Sequence, residues 1–235
     1  YDQRRPHAGE SSVWVQDLKS GTASELTLNP SLNQVPVWSA DGKRIIFTSN
    51  RQVFNRVYEK NSDGSGQERA ATDLDVGRQI NAWDWSRDGK YILLRNENEL
   101  WVYSVAENKS HAYLKEKWLI RGAQFSPDQK FVAYTTNETG GWEVYVSPFP
   151  EPTSKWKVSR DGGEEPRWSA DGKELFYLAP DGRLMSAGVR VGATFEAMTP
   201  VPLFQTRGRQ KISSQDVFTY AVGGNGEKFL FNTVT

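Results

Sequence analysis

The chain has 235 residues, and its 29 Lys plus Arg balance 29 Asp plus Glu, so no net field draws it onto a polyanion and nucleic acid is not an expected partner. With no cysteine it has no disulfide, thiolate metal site or cysteine nucleophile. Its longest apolar runs, such as Tyr91-Ile92-Leu93-Leu94, fall far short of the roughly 18 residues that cross a bilayer. Nine Trp, nine Tyr and eleven Phe beside 20 Gly and 11 Pro suit short aromatic strands broken by tight turns, an all-β composition.

In chain order, SVWVQDLKSG (12–21) and ASELTL (23–28) read as two strands with no hairpin before them. A repeated segment follows: PVWSADGKRIIFTSN (36–50), WDWSRDGKYILLRN (83–96), AQFSPDQKFVAYTTN (123–137), PRWSADGKELFYLAP (166–180) and a weaker YAVGGNGEKFLFNT (220–233). The turn residues Asp41, Asp88, Asp128, Asp171 and Asn225 stand 47, 40, 43 and 54 residues apart, the period of propeller blades. Each copy ends one strand on an aromatic, turns through a Ser-x-Asp-Gly-Lys type segment and starts an alternating apolar strand, so it encodes a hairpin. Gly42, Gly89, Gly172 and Gly226 suit a turn position with positive φ, which Gln129 must occupy at a cost or avoid. Third strands are expected at 100–105 and 143–146, a fourth at 155–159, and a hairpin between outer strands at NSDGSGQERAAT (61–72). The longest stretch between copies, 190–215, reads as a loop and an outer strand, then a basic connection at 207–211.

Trp38, Trp85, Phe125, Trp168 and Val222 share one position of the repeat and are expected to pack between blades, the first four nearly buried. Residues 12–28 supply a third and fourth strand, and 217–233 a first and second. Joined, they make one composite blade, so the expected architecture is a β-propeller of five four-stranded blades in a single domain over 1–235. The alternative is a fragment of a six- to eight-bladed propeller.

The copies at 38–47, 85–94, 125–134 and 168–177 resemble the WD40-like repeats of the TolB family, in which a W-S-P-D-G-K segment precedes an apolar strand. Residues 140–189 are similar to the propellers at the C-terminus of certain bacterial serine/threonine kinases and related sensor proteins. The eukaryotic WD40 marks are missing, since Trp83-Asp84 falls in the first strand of its copy, and the glycine pairs at 140, 162 and 223 lie at three phases, unlike Kelch doublets. The resemblance implies a bacterial, extracytoplasmic module, free of cofactors, that binds a protein or peptide. TolB-like propellers also accompany hydrolase domains, so the alternative is an accessory or gating propeller of a peptidase or a carbohydrate-active enzyme.

Catalysis needs a nucleophile or base held in a site, yet no G-x-S-x-G elbow occurs, and His7 and His111 read as surface residues. The chain is therefore expected not to be an enzyme. Asn61-Ser62-Asp63-Gly64-Ser65-Gly66 has the look of half a calcium loop, but Thr72 stands where the bidentate Glu belongs, and a hairpin turn is the better reading. Trp118, Trp142 and Trp156 lie outside the repeated position and suit outer-strand packing or stacking of a ligand. The innermost strands and the loops at one mouth of the ring carry Asn33, Arg51, Arg78, Asn81, Arg121, Gln124, Glu165 and Arg167. Guanidinium forks at that density suit a carboxylate or phosphate, so a small anionic ligand is a candidate; the competing reading is a solvated lining or an internal ion-pair network.

Overall fold

The computed structural model describes residues 2–4, 10–52, 54–72, 79–192, 194–206 and 218–231. The chain divides into two compact units, 1–112 and 113–235. The first holds three up-and-down sheets. They are β1 (Asp2–Arg4), β2 (Ser11–Gln16) and β3 (Ala23–Glu25); β4 (Asn33–Trp38), β5 (Arg44–Gln52), β6 (Phe54–Asn61) and β7 (Arg69–Ala70); and β8 (Ile80–Trp85), β9 (Tyr91–Asn96), β10 (Glu99–Ser104) and β11 (Lys109–Lys115), the last running into the second unit. The second unit holds β12 (Ile120–Phe125), β13 (Phe131–Thr136), β14 (Glu143–Pro148) and β15 (Trp156–Lys157); β16 (Glu164–Trp168), β17 (Glu174–Leu178), β18 (Arg183–Val191), β19 (Phe195–Ala197) and β20 (Val201–Gln205); and the pair β21 (Tyr220–Gly223) and β22 (Lys228–Phe231). No helix among the described residues is long and apolar enough to cross a membrane.

The repeated segment makes the hairpin its residues demand. Ser39 Oγ donates to Asp41 Oδ1 at 2.6 Å and accepts from Arg44 N at 2.9 Å, while Lys43 N donates to Asp41 Oδ1 at 3.0 Å. Ser86–Asp88, Ser126–Asp128 and Ser169–Asp171 repeat this frame. The turn then needs a left-handed residue: φ is +69° at Gly42, +75° at Gly89 and +72° at Gly172, and Gln129 adopts +59° in their place. The frame also holds the Asp41 carboxyl below its usual range, through the Ser39 hydroxyl and the Lys43 N–H, and the Asp171 carboxyl at about 2, through the Lys173 N–H, Ser169 and Asn225.

Cores form where neighbouring sheets face each other. In the first unit Val13, Leu26, Ile45, Phe47 and Tyr58 make one layer, and Ile46, Val57, Ile80, Trp85, Ile92 and Leu94 the next. In the second, Phe131, Val144, Val146, Trp168, Leu175 and Tyr177 form one cluster, with Phe176, Leu184 and Tyr220 in another. Trp85, Phe125 and Trp168 are buried as expected, but Trp38 is 49% exposed. Trp38 pairs with Ile45, so it faces the β1–β3 sheet, whose strand β1 has only three residues. Among the described residues no guanidinium lies over Trp38 as Arg44 lies over Trp85.

The composite blade is a second correction. Among the described residues, 12–28 and 218–231 contribute to different sheets: β2 pairs with β1 on one edge and β3 on the other, and β21–β22 form a two-stranded sheet of their own. Residues 2–4 occupy the β2 edge that the joined blade needed, a strand for which the sequence carries no turn signal. The 190–215 stretch supplies two outer strands, since β19 pairs with one half of β18 and β20 with the other; the basic connection 207–211 lies outside the described residues.

Candidate functional site

The innermost strands β4, β8, β12 and β16 each carry a register shift, between Gln34 and Val37, Ala82 and Asp84, Arg121 and Gln124, and Glu164 and Arg167, whereas β21 pairs with β22 in unbroken register. Three residues before the repeated aromatic, φ is positive at Val35 (+54°), Gly122 (+44°) and Glu165 (+58°), a conformation that β-branched and long side chains rarely adopt. Such bulges re-aim side chains at the rims of sheets. They set the directions of the polar residues expected at the mouth.

In the first unit those residues are engaged internally. Arg51 pairs with Glu68 at 2.5 Å, donates to Ser49 Oγ at 3.1 Å and Asn33 Oδ1 at 3.4 Å, and lies 3.9 Å above the Tyr58 ring. Asn29 donates to the same Glu68 at 3.1 Å, and Asn33, fully buried, donates to the Ser11 and Ser31 carbonyls. Asn81 is buried and accepts from Asn55 Nδ2 at 3.5 Å. Arg78 lies outside the described residues, as does His7.

In the second unit four of the expected residues lie on the innermost strands β12 and β16, Arg121 and Glu165 toward their starts and Gln124 and Arg167 toward their ends. The Arg121 guanidinium lies 3.9 Å over the Trp142 ring with Glu164 at 3.6 Å. The Arg167 guanidinium lies 3.4 Å over the Phe218 ring. Glu165 accepts from Thr219 N at 2.6 Å and Thr219 Oγ1 at 2.8 Å, and its carbonyl accepts from Tyr220 OH at 2.9 Å. Gln124 Oε1 accepts from Trp168 N at 2.9 Å, tying the two innermost strands. Gly122 is required here: a Cβ on it would stand 3.3 Å from the Phe218 ring and 3.7 Å from Glu165 Cα, at positive φ.

The same end of the β12–β15 sheet carries Trp118 and Leu119, 38% and 37% exposed, with Lys117 Nζ 4.9 Å from the Trp118 ring. Asn137 fixes this loop by accepting from Leu119 N at 2.9 Å. Trp156 packs into the core against Phe131 and Phe195, whereas His111 is exposed on β11. Asp63 accepts from Ser65 N at 2.9 Å, so the 61–66 segment spends its carboxylate on a hairpin turn. The part played by Phe218 was not legible in the sequence, because it lies far from Arg167 along the chain and carries no repeat signature.

No protein-family model matches the chain. An uncharacterised peptidase of Bacillus subtilis, YuxL, is 25% identical over 170 residues, which cover 55% of this chain and 25% of that protein. The Tol-Pal system protein TolB of Wolinella succinogenes is 24% identical over 198 residues, 84% of this chain and 38% of that one, so the chain spans well under half of either relative. Among solved structures, TolB from Acinetobacter baumannii matches 100% of this chain and 57% of its own, with a TM-score of 0.73 at 17% identity. The sheet-by-sheet hairpin repeat and this likeness together show a β-propeller fold similar to that of TolB.

Proposed function

We propose that this propeller is a non-catalytic interaction module of an extracytoplasmic bacterial protein, and that its recognition surface on residues 113–235 is the end bearing Arg121, Gln124, Glu165 and Arg167. The observation that carries this reading is the Arg121 guanidinium 3.9 Å over the Trp142 ring, with the exposed Trp118 and Leu119 just before its strand. Arg and Trp dominate the energetics of protein interfaces, and a guanidinium held on a ring is preorganised, so little side-chain freedom is lost on binding. The partner is a protein or peptide that presents carboxylates to Arg121 and an apolar residue to Trp118. Arg51 and Asn81 of the first unit, by contrast, serve an internal network.

Titration of tryptophan fluorescence with acidic peptides and with phosphorylated metabolites tests this, because Trp118 and Trp142 report on the surface. Binding of an acidic peptide by the wild type, weakened roughly tenfold or more in Arg121→Ala, is expected for loss of a charge-assisted hydrogen bond. No binding by the wild type, or equal binding by both, refutes it. A second reading, a gating propeller beside a peptidase domain, draws support from the likeness to YuxL. A hydrolase domain adjoining this segment in its gene product would favour gating; a kinase domain and a membrane helix would favour sensing.

A further inference from the structure

The loop 158–163, which joins β15 to β16, and the turn 179–182, which joins β17 to β18, lie at one end of their sheets, since Glu164 pairs with Leu178. Between them is a cavity of about 200 Å³ lined by Arg160, Asp161, Tyr177, Pro180, Met185 and Pro200. A second cavity of about 380 Å³ shares Arg160 and Pro200, and the hydrogen bond from Arg160 Nη2 to Thr199 Oγ1, 2.8 Å, spans the boundary between the two.

The polar groups of the first cavity are incompletely used. Tyr177 is 2% exposed, and its hydroxyl makes no hydrogen bond among the described residues. Tyr177 lines the cavity, where its hydroxyl is available to donate to an acceptor on a bound molecule. Burial, then the charges of Glu143 and Asp161, opposed by Arg160, push the Tyr177 hydroxyl up to about 12, which keeps it a donor at neutral pH. Arg183 is satisfied by Asp181 at 2.6 Å, but neither Arg160 nor Asp161 has an ion-pair partner among the described residues.

The loop that presents these groups is fixed. Buried Glu143 accepts from Lys157 Nζ at 2.7 Å, from Gly162 N at 3.2 Å and from Ser159 Oγ. Gly162 has φ of +93°, and a Cβ there would meet Pro180 Cγ at 2.5 Å, so only glycine lets the loop close on the 179–182 turn. A preformed site that sets a cation, an anion and an idle hydroxyl around an apolar wall matches one kind of molecule.

We propose that this cavity binds a small zwitterion of the α-amino-acid class, its carboxylate on the Arg160 guanidinium and Tyr177 hydroxyl, its ammonium on Asp161, and its side chain against Met185, Pro180 and Pro200. The volume fits, being below the roughly 300 Å³ at which drug-sized pockets begin. The site does not depend on the Arg121 surface.

Isothermal titration calorimetry of the chain with L-methionine, N-acetyl-L-methionine and L-methionine amide tests the proposal. Saturable binding of methionine is expected, weakened about tenfold or more by removing either charge from the ligand. Tyr177→Phe, which removes one oxygen and leaves the core filled, should weaken methionine binding about tenfold, the order of a hydrogen bond to a charged group. Arg160→Ala should abolish it, and Asp161→Asn should erase the preference for methionine over its N-acetyl form. Far-ultraviolet circular dichroism verifies that each variant is folded. No heat with methionine, leucine or alanine at millimolar concentration overturns the proposal. So does equal affinity for the free and N-acetylated forms, or unchanged binding in folded Arg160→Ala.

Discussion

Trp85 and Trp38 occupy one position of the repeat but differ in cover, so truncating each to alanine isolates the worth of that cover. A tryptophan buries about 150–250 Å², worth about 4–6 kcal/mol at about 25 cal/mol per Å². The unfolded chain already hides part of that area, which brings Trp85→Ala to about 3–5 kcal/mol. Trp85 also donates from Nε1 to the Gly89 carbonyl at 3.3 Å and lies under the Arg44 guanidinium at 4.7 Å, so its loss strips the turn and the neighbouring sheet together. Trp38 is 49% exposed, which halves the area, and water fills the space it leaves. Its truncation should cost about 2 kcal/mol or less. Urea unfolding followed by far-ultraviolet circular dichroism is the assay, with the slope checked for constancy so that the midpoints report stability. Equal losses for the two variants would refute the reasoning, because shared sequence position and not cover would then set the energy.

Gly122→Ala should cost about 1–2 kcal/mol, from the left-handed backbone and the close Phe218 ring, as read from the same urea midpoints; a neutral result would remove the packing argument. Glu143→Gln keeps the shape but not the charge that holds Lys157 and Gly162, so a loss of about 1.5–3 kcal/mol is expected by thermal or urea denaturation, and a stable variant would contradict it. The turn carboxylates of Asp41 and Asp171 titrate lower in the folded chain than their unfolded value of about 3.9, so their stabilisation is present above about pH 4 and is lost as pH falls toward about 2. Urea midpoints that stay level between about pH 5 and about pH 2.5 would show that these turns contribute nothing.

The hairpins were legible because their whole chemistry is local: the Ser39, Asp41 and Gly42 pattern and its copies contain every donor and acceptor that the turn uses. Burial of Trp85, Phe125 and Trp168 followed from repetition alone. Trp38 escaped the rule because burial depends on the adjoining sheet, whose short first strand the repeat does not encode. The candidate residues were found by position, but not their partners: Glu68 for Arg51 and Trp142 for Arg121 come from loops of the same sheet, Phe218 for Arg167 comes from the segment before β21, and none has a sequence signature. The bulge of the innermost strands was hidden for a related reason. Val35 and Glu165 are not residues from which positive φ is read, and the surrounding sheet imposes it.

That bulge separates two duties within a single strand. Downstream of it, Phe125 and Trp168 keep the alternation that serves the core; upstream, Ile120-Arg121 and Glu164 pair in a shifted phase. A change of residue at the mouth therefore does not propagate as a slip of register into the aromatic layer, since the extra residue absorbs the mismatch. The frame is insulated from its own rim, so substitutions at Arg121 or Glu164 leave the aromatic layer in place.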